Sequence, residues 1–154
     1  QKAMEEMGDI VWAIKPSIDE DKGLSYRIKN YGTALLSVKN ILCRYDISAQ
    51  LDRELFNAEA RKNLLLIIKE AINNMAKYSR ATQASITLTE QEENIMLTIT
   101  DNGIGFNQQT VLMGNGIANM QNRSRNLDAV FQIISKPLEG TQIICIIPLT
   151  KFGE

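Results

Sequence analysis

Four clusters of residues in this chain have types and spacings that chemistry can use. The first is Glu70, Asn74 and Lys77 in the stretch EAINNMAKYS. On a helix advancing about 100° per residue, Asn74 lies about 40° to one side of Glu70 and Lys77 about 20° to the other. A carboxylate, an amide and an ammonium then share one face. Leu65, Ile68, Ile72 and Met75 fall on the opposite arc. Every surface helix has a polar face, so the trio alone is also compatible with plain solvation. The adjacent pair Asn73-Asn74 argues for more, because asparagine is a poor mid-helix former where Glu or Lys would serve.

The second cluster is TDNGIGF, residues 100–106, directly after an apolar alternating stretch. Asp-Asn-Gly by itself signals a hairpin turn. A second glycine follows at Gly105, however, and no strand pattern continues beyond it. Two glycines beside a carboxylate at a strand end suit a backbone that passes close to a ligand. The third cluster is GNGIANMQNRSRNL, residues 114–127, where Gly114 and Gly116 open a helix. Free N–H groups and the dipole at such an end favour a phosphate, although a flexible linker into a helix is an equally good local reading. Neither GxxxxGK[ST] nor the third glycine of a dinucleotide fingerprint is present. The fourth is Gly140-Thr141 at the entry to the last apolar run, which alone is only a turn.

These clusters need elements to hold them. Met4, Met7, Val11 and Ile14 recur at three, four and three, the seam of a helix that packs on another helix, and Pro16 ends it. Residues 17–23 read as a polar connector. Leu24, Ile28, Tyr31, Leu35, Val38 and Leu42 predict a helix of about five turns. Residues 43–48 alternate weakly and suggest a short strand. Asn57 is a candidate N-cap for a helix over about 58–78. Alternation predicts strands at 84–89 and 95–100, joined by a turn at 90–94. A helix near 115–127 and strands at 130–135 and 142–148 follow, turning at 137–140. The last strand is continuously apolar from Ile143 to Ile147 and reads as central. Helices precede strands, so the fold class is α+β with helices on one face of a sheet.

Composition narrows the chemistry. The 154 residues suffice for one domain with a two-layer core, and a 44% hydrophobic, 23% charged make-up is that of a globular chain. Net charge is −1 and lysines and arginines are scattered, so the basic footprint of a nucleic-acid binder is missing. No apolar run reaches the ~18 residues that a membrane helix needs. Cys43 and Cys145 are far apart and form no CxxC, which reads as two buried, reduced thiols. The chain contains no histidine, so Ser-His and Cys-His nucleophile pairs and His-ligated metals are excluded within it. Its first residue is Gln1, and the expectation is a piece of something longer.

Order and spacing say more than the parts. Glu-x-x-x-Asn-x-x-Lys-Tyr on a helix is followed by Asp-x-Gly-x-Gly after a strand. Gly-x-Gly then opens a helix, and Gly-Thr precedes a final strand. This series resembles the Bergerat ATP-binding fold of the gyrase, heat-shock-90, histidine-kinase and MutL superfamily, over nearly all of residues 20–149. The short stretch from Gly105 to Gly114 resembles the short lid of sensor histidine kinases, and GIANMQNR is similar to the Gly-Leu/Ile-x-x-Met-x-x-Arg pattern of one kinase branch. The opening MGDIVWAIKP resembles the end of the second dimerisation helix in that branch.

The resemblance implies a two-layer sandwich of a mixed, mainly antiparallel sheet covered by about three helices. Residues 1–16 would be the tail of a dimerisation helix and linker, and residues 17–154 the catalytic domain. Asp101 would accept a hydrogen bond from the adenine amine, with Thr141 assisting through water. Guanine would place a carbonyl there, and such mismatched buried polar groups cost about 1–3 kcal/mol. Gly103 and Gly105 would let the backbone approach the base, with Tyr78, Ile104 and Met113 as its walls. Asn74 would hold Mg²⁺ through its amide oxygen. Lys77 would neutralise phosphate charge, and Gly114 and Gly116 would let the lid fold over the triphosphate. Glu70 matches an acidic residue that polarises water in superfamily hydrolases, and in kinases would orient or deprotonate the histidine. The implied cofactors are ATP and Mg²⁺. The implied partners are upstream dimerisation and histidine-phosphotransfer helices, a response regulator reached through the parent protein, and a second copy in a homodimer. The domain would be cytoplasmic, in a parent compatible with anchoring in the inner membrane.

Two features depart from the family pattern. Leu127-Asp128-Ala129 stands where Leu-Gly-Gly is common, which alters a helix C-terminus rather than ATP contacts. With no histidine, these residues cannot phosphorylate themselves. Two other readings fit the same fold: a serine kinase of the anti-sigma type, and an ATP-binding sensing or structural module without phosphotransfer. The helix ahead of Pro16 weighs against the first. Intact Asn74, Asp101 and glycines weigh against the second.

Overall fold

The computed structural model describes residues 23–51, 57–107 and 116–152. The helix expected over Met4–Ile14, the whole of residues 1–16, Met113 and Gly114 lie outside the described residues.

Helix α1, Leu24–Leu36, buries Leu24, Ile28, Gly32 and Leu36, one residue per turn on a single stripe. It is shorter than the apolar spacing suggests. A 3₁₀ turn, Ser37–Lys39, follows, and Asn40 adopts the left-handed conformation at φ 58°. The N–H of Ile41 then returns to the Leu36 carbonyl at 2.9 Å, closing the helix end. Asparagine tolerates this conformation better than most residues, which is why the helix stops here. Val38 (77% exposed) and Leu42 (74%) continue the spacing without joining the core. Strand β1, Leu42–Ile47, begins where the longer helix was expected to end.

Helix α2, Ala58–Asn74, starts as its N-cap predicts, with the Asn57 side chain accepting from the Ala60 N–H at 3.0 Å. The Asn57 N–H in turn donates to the carbonyl of Phe152, a fully buried residue in the 3₁₀ turn Leu149–Phe152. The predicted continuation to Tyr78 is not α-helical. Met75–Ser79 widens into a π turn, Arg80 is left-handed at φ 52°, and the Ser79 hydroxyl donates back to the Met75 carbonyl at 2.7 Å. Single π turns of this kind recur at functional sites.

Strands β2, Gln83–Gln91, and β3, Asn94–Asp101, form the expected hairpin. Helix α3, Gly116–Asn126, leads to β4, Val130–Ser135, and β5, Thr141–Pro148. The sheet order is β1-β2-β3-β5-β4; β1 and β2 are parallel and the other pairs antiparallel. Among the described residues the architecture is therefore the expected α+β arrangement, a mixed five-stranded sheet with three helices. The middle strand is β3, whereas β5 is an inner strand beside the β4 edge.

The period-two pattern decides which face is covered. Ile86, Leu88, Ile95, Leu97, Ile99, Cys145 and Ile147 are 2% exposed or less, and their neighbours along each strand face the other side. Leu65, Ile68 and Ile72 on α2 and Met75 at the start of the π turn are all buried, as the arc opposite Glu70 required. Full burial of one such side chain contributes about 1.5–3 kcal/mol, so truncating Ile99 or Ile72 to alanine would cost several kcal/mol.

Candidate nucleotide-binding site

A cavity with about 480 Å³ of empty space, part of it open to solvent, lies between the C-terminal half of α2, the start of α3 and the ends of β3 and β5. Asn74, Tyr78, Asp101, Gly105 and Thr141 line it, five of the residues singled out from the sequence. The rest of its wall is mostly apolar: Met75, Ile99, Phe106, Ile117, Met120, Ile133 and Ile143 among others. Spacing alone did not mark the helix and strand residues among these, because each obeys the same periodicity as ordinary core, and Phe106 stood in the glycine turn without a role of its own.

Asp101 sits at the base. Paired with Thr141 across β3 and β5, it is 9% exposed, and one carboxylate oxygen accepts the Gly103 N–H at 2.8 Å. Burial pushes its carboxyl above the usual aspartate range, and the N–H groups of Gly103 and Thr141 partly offset that rise. The carboxylate is thus held in an apolar setting with acceptor capacity facing the cavity.

The two glycines beside it have different reasons to be glycine. A Cβ on Gly103 would run into the Ser79 carbonyl and the Asp101 carboxylate. Gly105 has φ +62°, and a Cβ there would meet the carbonyls of Lys136 and Gly140. Asn102 between them has a structural task. Its side-chain oxygen accepts the N–H groups of Thr82 and Gln83, and its amide donates to the Thr82 hydroxyl at 2.9 Å. This clip fixes the turn to the start of β2.

Of the Asn73-Asn74 pair, only the second faces the cavity. Asn73 accepts a hydrogen bond from the Tyr31 hydroxyl on α1 at 2.9 Å, and the Lys69 ammonium lies 4.5 Å from the Tyr31 ring centre. Gly116 brings the first and third clusters together. A Cβ there would lie 2.7 Å from a Glu70 carboxylate oxygen and 3.0 Å from the Asn74 amide atoms. The Gly116 backbone therefore packs directly against Glu70 and Asn74, and the Asn74 amide oxygen beside the cavity is the hard donor present. That suits Mg²⁺, which keeps its waters and takes few protein ligands. Among the described residues no group of three His, Cys, Asp or Glu side chains converges, so any metal here would rely on ligand oxygens as well.

Other sequence-marked residues stand elsewhere. Lys77 is exposed on the π turn, outside the wall, beside Tyr78, which lines the cavity yet is 44% exposed. Ile104 is 42% exposed and is absent from the wall, because its N–H is drawn to the Ser79 carbonyl at 2.7 Å. The departure at Asp128 falls on a left-handed residue (φ 52°) just past α3, where its carboxylate pairs with Lys151 at 3.0 Å. Asp128 is not among the residues that line the cavity.

A sheet half-covered by helices, with a buried aspartate and glycine turns at the mouth of a cavity beside α2, defines an ATP-binding domain. Residues 59–151 match the family model described as histidine kinase-, DNA gyrase B- and HSP90-like ATPase, and the chain belongs to that family. It is 32% identical over 154 residues to the sensor protein VraS of Staphylococcus saprophyticus, covering 98% of this chain and 43% of that protein. The chain thus spans less than half the length of this curated relative. In fold it is similar to the blue-light activated histidine kinase EL346 of Erythrobacter litoralis, with a TM-score of 0.75 at 15% identity over 97% of this chain and 49% of that one. Full-length ShkA, solved in complex with AMPPNP, gives a TM-score of 0.66 at 14% identity, over 96% and 37% of the respective chains. Among the described residues no helix is long and apolar enough to cross a membrane.

Proposed function

We propose that this chain is the ATP-binding catalytic domain of a two-component sensor histidine kinase. It passes the γ-phosphoryl group of Mg-ATP to a histidine outside these residues. The observation that carries the reading is the buried Asp101, aimed into an apolar cavity and oriented by the Gly103 N–H. An adenine amine is the donor such a site accepts, and the surrounding isoleucines and methionines give the ring its apolar bed.

Asn74 would hold a bound Mg²⁺ through its amide oxygen, and the ion with its waters would neutralise charge on the transferring phosphoryl group. Lys77, exposed on the π turn, is free to swing toward phosphate oxygens. Gly116, at the first turn of α3, offers backbone N–H groups to the same anion. Attack by an imidazole nitrogen forms the P–N bond as the bond to the ADP oxygen breaks. Positioning and charge neutralisation supply most of the catalysis in phosphoryl transfer, so few protein groups suffice. Glu70 orients the incoming imidazole or takes up its N–H proton. Upstream dimerisation helices, a second copy and a response regulator complete the reaction. The domain works in the cytoplasm, and a parent anchored in the inner membrane is compatible with this.

Titration with ATP, with and without Mg²⁺, tests the reading first. Addition of a histidine-bearing dimerisation segment and radiolabelled ATP tests transfer. Mg-dependent ATP binding and label on the histidine are expected. Failure to bind ATP would sink the proposal, and binding without transfer would favour a nucleotide-sensing module.

A further inference from the structure

Ser135, the last residue of β4, is 6% exposed and lies outside all four sequence clusters. Its hydroxyl sits among three groups. The Phe106 N–H donates to it at 2.9 Å, the Gly140 carbonyl lies 3.1 Å away, and the Thr141 hydroxyl is 2.8 Å away. Phe106 and Thr141 both line the cavity, so the hydroxyl ties together two stretches of its wall.

The proton inventory gives the contact a direction. An amide N–H can only donate and a carbonyl can only accept. Gly140 is buried, so its carbonyl gains by taking the single Ser135 hydrogen. The Thr141 hydroxyl must then be the donor in its contact with Ser135. Its own hydrogen is committed, and only lone pairs remain to face the cavity.

We infer that Ser135 is a specificity-determining positioning residue: by engaging the Thr141 hydrogen it makes Thr141 a pure acceptor, which selects a purine with an amine at position six. This rests on the adenine-binding reading of the Asp101 site. Asp101 and Thr141 then offer acceptors, and a six-amino group has two hydrogens to give. A carbonyl at position six would meet lone pairs instead. Without Ser135, the Thr141 hydroxyl can rotate and donate.

Inosine triphosphate is the matched probe, because it carries the six-oxo group without guanine's extra amine. Affinities of ATP and inosine triphosphate are measured by calorimetry for the wild type, Ser135→Ala, Ser135→Thr and Thr141→Val. In Ser135→Ala the preference for ATP is expected to fall about tenfold, with inosine triphosphate binding more tightly than it does to the wild type. Ser135→Thr, which keeps a hydroxyl, is expected to retain the preference. A merely structural serine would weaken both nucleotides together, and that result, or an unchanged ratio, overturns the inference. Should Ser135→Ala fail to fold, Thr141→Val decides: it must weaken ATP more than inosine triphosphate, and equal losses overturn the inference. Wild-type protein that binds no ATP would instead refute the underlying site.

Discussion

The N–H of Ile104 donates to the Ser79 carbonyl across 2.7 Å, joining the turn after β3 to the π turn that ends α2. Gly103 lies against the same carbonyl. The aspartate turn and the asparagine helix, more than twenty residues apart in sequence, are therefore one rigid corner of the site. Gly103→Ala has nowhere to put its methyl group except against backbone. It is expected to cost about 1–3 kcal/mol through overpacking, and to weaken ATP binding because Asp101 must move too. Thermal melting with and without ATP checks both effects together.

Asp101→Asn tests the buried carboxylate. Burial raises its carboxyl in the folded chain, so folding favours the protonated form. The stabilising contribution of that form is complete below the ordinary aspartate range and is lost as pH rises through the raised value. Wild-type melting temperature should therefore decline relative to Asp101→Asn across that window and run parallel above it. ATP affinity of the wild type should weaken as pH falls through the same window. At neutral pH the variant should bind ATP about 10–100-fold less tightly.

Neighbouring asparagines should separate stability from binding. Asn73→Ala loses the Tyr31 hydrogen bond, and about 0.5–1.5 kcal/mol of urea-measured stability is expected to go with it, while Mg-dependent ATP affinity holds. Asn74→Ala should do the reverse. Its denaturation curve is expected to shift by less than about 0.5 kcal/mol, whereas the gain in ATP affinity on adding Mg²⁺ disappears.

Asp128 adopts φ 52°, a conformation glycine reaches without strain. Its ion pair with Lys151 joins side chains that are 69% and 36% exposed, so little stability is lost with it. Asp128→Gly is expected to raise stability by a few tenths up to about 1 kcal/mol, net of glycine's greater unfolded-state freedom. ATP affinity should be unaffected, as calorimetry on the same preparation would reveal.

The fold class, the hairpin of β2 and β3 and the Asn57 cap were legible in the residues, and so were Asn74, Asp101 and Thr141, which the fold brings to one cavity. Each depends on short-range periodicity or on a residue type with one dominant backbone preference. The sequence by itself misjudged the ends of α1 and α2, because helix spacing continues through Val38, Leu42 and Tyr78 while the backbone turns at Asn40 and Arg80. Competition between two locally acceptable conformations is settled there by what the following strand must pair with. Only tertiary structure separated Asn73 from Asn74, placed Gly116 against Glu70, and brought Ser135 onto Thr141. Those outcomes depend on which faces of α2, β4 and β5 meet across the core, a long-range choice that no residue makes alone.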